Sequence, residues 1–122
     1  MGLATATIAN AEDYRRVLST SRPVFLLFVS AHCPACTEAV PLFEMIAARY
    51  PSVVSMVLDC AHTPRHGEVR GTPTGLVYVN GQLQEKLEGF GPEEGQAALV
   101  EATFKRYAKR RRPPIKPTLA RP

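Results

Sequence analysis

Apolar and polar positions fall into blocks along this chain, and each block has the period of one kind of element. Val24 to Val29 (VFLLFV) and Val53 to Leu58 (VVSMVL) are apolar at nearly every position, the pattern of strands covered on both faces of a sheet. From Cys36 to Tyr50 the pattern changes: Val40, Phe43, Ile46 and Ala47 recur at spacings of three and four, which is one face of a helix. Pro41 lies inside that helix and is expected to kink it. Thr74 to Val79 and Gln82 to Leu87 flank Asn80-Gly81, a two-residue turn in which both positions take positive φ, so this pair reads as an antiparallel hairpin.

The ends of the chain are punctuated differently. Thr5 to Ala9 is short and β-leaning, and Asn10 can cap a helix that begins with AEDYRRVL. Pro92 begins a last helix expected to run to about Lys109, with Glu93 and Glu94 facing the positive end of its dipole. The order β, α, β, α, β, hairpin, α calls for an α/β fold: a mixed central sheet with a parallel core, a C-terminal antiparallel hairpin and helices on both faces. At 122 residues this is one domain, with no internal repeat.

Charge changes the picture at one end only. All eleven acidic residues precede Lys105, whereas eight of the fifteen basic ones lie from Lys105 onward. The expected division is a folded domain over residues 1–108 and a basic, proline-rich tail over 109–122, in which PPIKPTLARP has too little apolar surface to pack. That tail is either a solvated end or a contact for an acidic partner or nucleic acid. No apolar run is long enough to span a membrane, and the N-terminus lacks a leader pattern. Three cysteines are too few, and odd in number, for the disulfide framework of a small secreted domain, so a reducing cytoplasm is the expected setting.

The chemistry centres on Cys33-Pro34-Ala35-Cys36, which follows a buried strand and opens a helix. Unpaired amides and the dipole at a helix N-terminus favour an anion, so Cys33 is the expected nucleophile and Cys36, one turn in, the resolving thiol. Pro34 fixes φ at the start of the helix and, with Ala35, biases geometry and redox poise. Two rival readings stand beside this one: a pair of ordinary core cysteines, and a zinc set of Cys33, Cys36, Cys60 and His62. His32 either lowers the Cys33 pKa when protonated or is an exposed loop residue. Cys60, at the end of its strand, reads as a buried, inert thiol.

Three blocks, FVSAHCPAC, Pro41 and VRGTPTGLVYVNGQ, resemble the thioredoxin superfamily over residues 5 to 108, and Gly89 also falls on a family glycine. The resemblance implies the thioredoxin fold and thiol–disulfide exchange with protein disulfides, using Cys33 and Cys36 and no cofactor or metal beyond their own disulfide. An electron donor such as a disulfide reductase or glutathione is implied with it. The resemblance also implies a cis Thr72-Pro73 bond that sets Pro73 against the dithiol and offers the Thr72 backbone to an extended substrate strand. The chain departs from the family at four places: His32 and Val29 replace tryptophans, Leu27 a buried aspartate and Ser55 its lysine partner. These losses leave a second reading open, a redox-inactive or weakly active thioredoxin-fold binding module that docks an acidic partner or nucleic acid through its basic tail. The glycine pair with which glutaredoxins hold glutathione is replaced by GFGPEE.

Overall fold

The computed structural model describes residues 10–89 and 95–109. The expected strand at Thr5 to Ala9, the helix start at Pro92 and the tail from 110 to 122 lie outside the described residues. The elements are α1 (Ala11–Leu18), β1 (Val24–Val29), α2 (Pro34–Ala47), β2 (Val54–Asp59), a 3-10 turn (Cys60–His62), β3 (Thr74–Val79), β4 (Gln82–Glu88) and α3 (Gln96–Ala108).

Local chemistry accounts for the element ends. Asn10 caps α1, its side-chain oxygen accepting the Asp13 N–H at 2.9 Å, with Glu12 and Asp13 in the first turn and Arg15 and Arg16 in the last. The hairpin turn has Asn80 at φ 54° and Gly81 at φ 79°, as the Asn-Gly pair predicts. Gly89 ends β4 at φ 70°, a backbone region that penalises any side chain, and its N–H donates to the Pro73 carbonyl at 2.8 Å.

Among the described residues the four strands form one sheet in the order β2-β1-β3-β4. β1 and β2 are parallel, while β3 runs antiparallel to both β1 and β4. The fully apolar sequence of β1 follows from its place inside the sheet. Alternate side chains go to opposite faces, so Phe25 and Leu27 join Phe43 and Ile46 of α2 and Val100 and Phe104 of α3. Val24, Leu26 and Phe28 join Met56, Leu58, Leu76 and Tyr78, with Tyr14, Val17 and Leu18 of α1 packed against them. Helices therefore cover both faces, and the chain has the thioredoxin fold implied by its sequence.

The register fixes where the site lies. Val29 pairs with Asp59, Phe28 with Thr74, and Thr74 with Glu88. One end of the sheet thus gathers the exit of β1 toward Cys33, the exit of β2 toward Cys60, the entry to β3 from Thr72-Pro73, and the exit of β4 at Gly89. This is the carboxyl end of the parallel strands, where open α/β sheets place their ligands.

Candidate active site at the strand ends

Cys33 and Cys36 are joined by a disulfide, with their Cα atoms 5.2 Å apart. Cys33 is the N-cap of α2 in extended backbone, and its Sγ accepts the Cys36 N–H at 3.1 Å. Pro34 follows at the first helical position, where its missing N–H leaves no donor unpaired and its ring holds helical φ. The two sulfurs differ in access: Cys36 is 4% exposed and lies on the buried side of α2 with Ala39 and Phe43, whereas Cys33 is only half-buried. Pro34 and Ala35 are exposed. The site thus presents one sulfur to a partner and keeps the other behind it.

Opposite the end of β1, the Thr72–Pro73 peptide bond is cis. Pro73 is buried and Thr72 half-buried. The Thr72 hydroxyl lies 3.0 Å from the Ser30 hydroxyl, which joins the segment before the cysteines to the segment before β3 across 42 residues of sequence. Two further bonds shape this loop, from the Thr74 hydroxyl to the Gly71 carbonyl at 2.7 Å and from the Gly89 N–H to the Pro73 carbonyl. Neither uses the main chain of Thr72.

One sequence expectation changes here, and two readings left open by the sequence are narrowed. Cys60 is not buried but exposed and free, because the Asp59 carboxylate accepts the Ala61 N–H at 2.9 Å and turns the chain off the sheet immediately after β2. Partial desolvation, and then the Asp59 charge, push the Cys60 thiol pKa up, so it ionises less readily than a free thiol. The four candidate zinc ligands do not converge: Cys33 and Cys36 are tied to each other, and among the described residues no three His, Cys, Asp or Glu groups gather as a metal set. His32 is exposed, with no hydrogen bond to either sulfur. Leu27 and Ser55 are both fully buried, and the Ser55 hydroxyl turns to the Val53 carbonyl at 3.4 Å.

Sequence reasoning missed the loop that walls the site on the β2 side. His66 Nδ1 accepts the Glu68 N–H at 3.0 Å, which puts the proton of the neutral ring on Nε2, and Nε2 donates to the Tyr78 hydroxyl at 2.6 Å. The ring lies edge-on to Tyr14 and Phe28. Burial lowers the His66 pKa, against a smaller opposing effect of Glu68. Burial raises Tyr14 to about 12, helped by Cys60 and Tyr78. A histidine between a glycine and an arginine in a loop has no periodic signature, so only the fold reveals this cluster.

Comparison with known proteins agrees with this geometry. The thioredoxin family profile matches residues 5–102. Thioredoxin H5 of rice (Oryza sativa subsp. japonica) is 31% identical over 83 residues, 66% of this chain, and the chain spans 62% of that protein's length. Thioredoxin C-2 of Corynebacterium nephridii is 26% identical over 104 residues, covering 80% of this chain and 96% of the relative. The crystal structure of mitochondrial thioredoxin 3 from Saccharomyces cerevisiae, in its oxidised form, superposes with a TM-score of 0.70 at 22% identity, over 81% of this chain and 92% of the other.

Proposed function

The chain belongs to the thioredoxin family, and on that premise we propose that it exchanges disulfides with protein substrates, with Cys33 as nucleophile and Cys36 as resolving thiol. Thiol–disulfide oxidoreductase chemistry follows at the general level from the family and the bonded pair. The assignment of roles rests on one observation: Cys33 Sγ is the N-cap acceptor of α2 and the more accessible sulfur, while Cys36 is buried behind it. An amide aimed at Sγ and the positive end of a helix dipole both favour a thiolate there.

In the reduced protein the Cys33 thiolate attacks one sulfur of a substrate disulfide. That S–S bond breaks, a mixed disulfide forms, and the other substrate sulfur leaves as a thiolate that takes a proton from solvent. Cys36, after losing its proton, attacks the Cys33 sulfur and expels the second substrate thiolate. Two electrons pass to the substrate, and the Cys33–Cys36 disulfide remains. A disulfide reductase or glutathione restores the dithiol. Thr72, whose main chain is not used by the loop's own bonds, offers a pairing edge to an extended substrate strand beside Pro73. The cytoplasm is the proposed location, since its reducing poise suits a protein that starts as a dithiol.

The test is a glutathione redox titration of the Cys33/Cys36 pair in a Cys60→Ala background, read by alkylation and mass spectrometry, together with insulin reduction by two variants. A reversible two-electron transition is expected, with turnover abolished in Cys33→Ser and mixed disulfides trapped in Cys36→Ser. Substantial turnover by Cys33→Ser defeats the assignment.

A further inference from the structure

A cavity of about 430 Å³ opens at the end of the sheet that also carries the dithiol, lined among others by Ser30, Cys60, Arg65, His66, Arg70 and Thr72. Its lining contains two arginines and no acidic residue, although the chain before Lys105 has an excess of acids. Among the described residues neither guanidinium has an ion-pair or hydrogen-bond partner. The nearby carboxylates are engaged elsewhere: Asp59 caps the 3-10 turn, and Glu68 pairs with Lys86 of β4 at 3.3 Å.

The loop carrying the two arginines is held from several sides. The Thr63 hydroxyl donates to the Asp59 carbonyl at 2.8 Å, the Tyr14 hydroxyl to the Pro64 carbonyl at 2.9 Å, and His66 to Tyr78. Arg65 and Arg70 are thus presented from an anchored loop, and little ordering remains for a ligand to impose. The cavity reaches Ser30, three residues before Cys33, and Thr72, next to Pro73. A peptide strand paired along Thr72 therefore passes its mouth. The volume lies within the usual range for ligand pockets and has room for a side chain.

We propose that this cavity is a substrate subsite that takes an acidic side chain near the reacting cysteine, with Arg65 and Arg70 as its cationic walls. The inference rests on the disulfide-exchange reading and narrows the substrate class to disulfides with acidic neighbours.

The experiment uses two synthetic peptides, each closed by one disulfide and differing only in Glu or Gln beside one cysteine. Single-turnover mixing with the pre-reduced full chain should give a rate about fivefold higher for the Glu peptide, and the preference should shrink at about 0.5 M salt. Arg65→Gln/Arg70→Gln should bring the Glu-to-Gln ratio close to one, and Arg65→Lys/Arg70→Lys should restore most of it. Binding of the same peptides closed by a non-exchangeable thioether reads the cavity without redox chemistry. Equal rates and equal binding of the two peptides by the native chain overturn the subsite and leave the exchange reading standing. A charge preference in thioether binding without any exchange does the reverse.

Discussion

Cys33 serves two purposes with one atom, capping α2 and presenting the accessible sulfur, and a side chain of any other length or polarity would lose one of them. Cys36 stands in a different position. Where the family places a buried aspartate and its lysine, this chain has Leu27 and Ser55, both fully buried, so the Cys36 proton has no charged acceptor at those sites. On the proposed mechanism the resolving step should therefore quicken as pH rises, because the thiolate is the attacking form. Stopped-flow decay of a mixed disulfide between pH 6 and 8 checks this, and a flat profile would contradict it. Ser30 and Thr72 offer a second residue-scale test. Ser30→Ala combined with Thr72→Val should show a coupling of about 1 kcal/mol in a double-mutant cycle of urea unfolding, the usual net worth of such a hydrogen bond. Cys33 and Cys36 were legible in the sequence because they sit where a buried strand gives way to a helix, whereas the Thr72-Pro73 pair was read only through the family resemblance. Ser30 was not, since a single serine after an apolar strand says nothing of its partner 42 residues away.

The elements that hold the site draw their stability from alternate faces of β1. Phe43 of α2 is fully buried against Phe25 and Phe104, with ring centroids 5.0 and 5.4 Å away. Phe43→Ala should cost about 3–5 kcal/mol of stability, measured as a shift in the urea midpoint. The loop between β2 and β3 adds a pH dependence. His66 faces Tyr14 of α1, Tyr78 of β3 and the Glu68 amide of its own loop, and a second ring proton would set Nδ1–H against that amide. Its folded pKa is lowered by burial, so the unfolded chain binds the proton first. The contribution of His66 is complete above the unfolded value of about 6.5 and is lost as pH falls from there through the lower folded value. Urea midpoints at pH 7.5 and 5.5 should differ less in His66→Gln than in the native chain. The strands, the hairpin turn, α2 and the Asn10 cap of α1 were legible because their signals are local, whereas the 3-10 turn depends on a single capping contact from Asp59.

At the scale of the whole molecule, two apolar clusters on opposite faces of the sheet hold the fold, and the disulfide lies at their margin. Polar ties fasten α3 to its neighbours: Glu101 accepts from Arg49 at 2.7 Å and from Tyr50 at 2.5 Å, and Glu85 of β4 accepts from Arg106 and Tyr107. The disulfide closes a loop of only three residues' separation, for which chain entropy alone gives about 2 kcal/mol. The reduced protein should therefore remain folded, with a urea midpoint only modestly below that of the oxidised form. A reduced state that unfolds in buffer, by far-ultraviolet circular dichroism, would show that the clusters do not suffice.

What the sequence determined by itself is whatever one segment states alone: the buried strands by their unbroken apolar runs, the hairpin by Asn80-Gly81, the dithiol by its place between strand and helix. Its resemblance to a family then supplied the cis bond before Pro73. The tertiary structure decided how these segments meet. The parallel pairing of β1 with β2 and the antiparallel pairing with β3 bring Cys33, Cys60 and Thr72 to one end of the sheet, and the Asp59 cap turns Cys60 outward where a buried thiol was expected. A cavity with two arginines is lined by residues of β1, the loop between β2 and β3, and the entry to β3, which lie far apart in sequence. Periodicity is a property of neighbours along the chain, but a site is a property of neighbours in space, and sheet register alone converts one into the other.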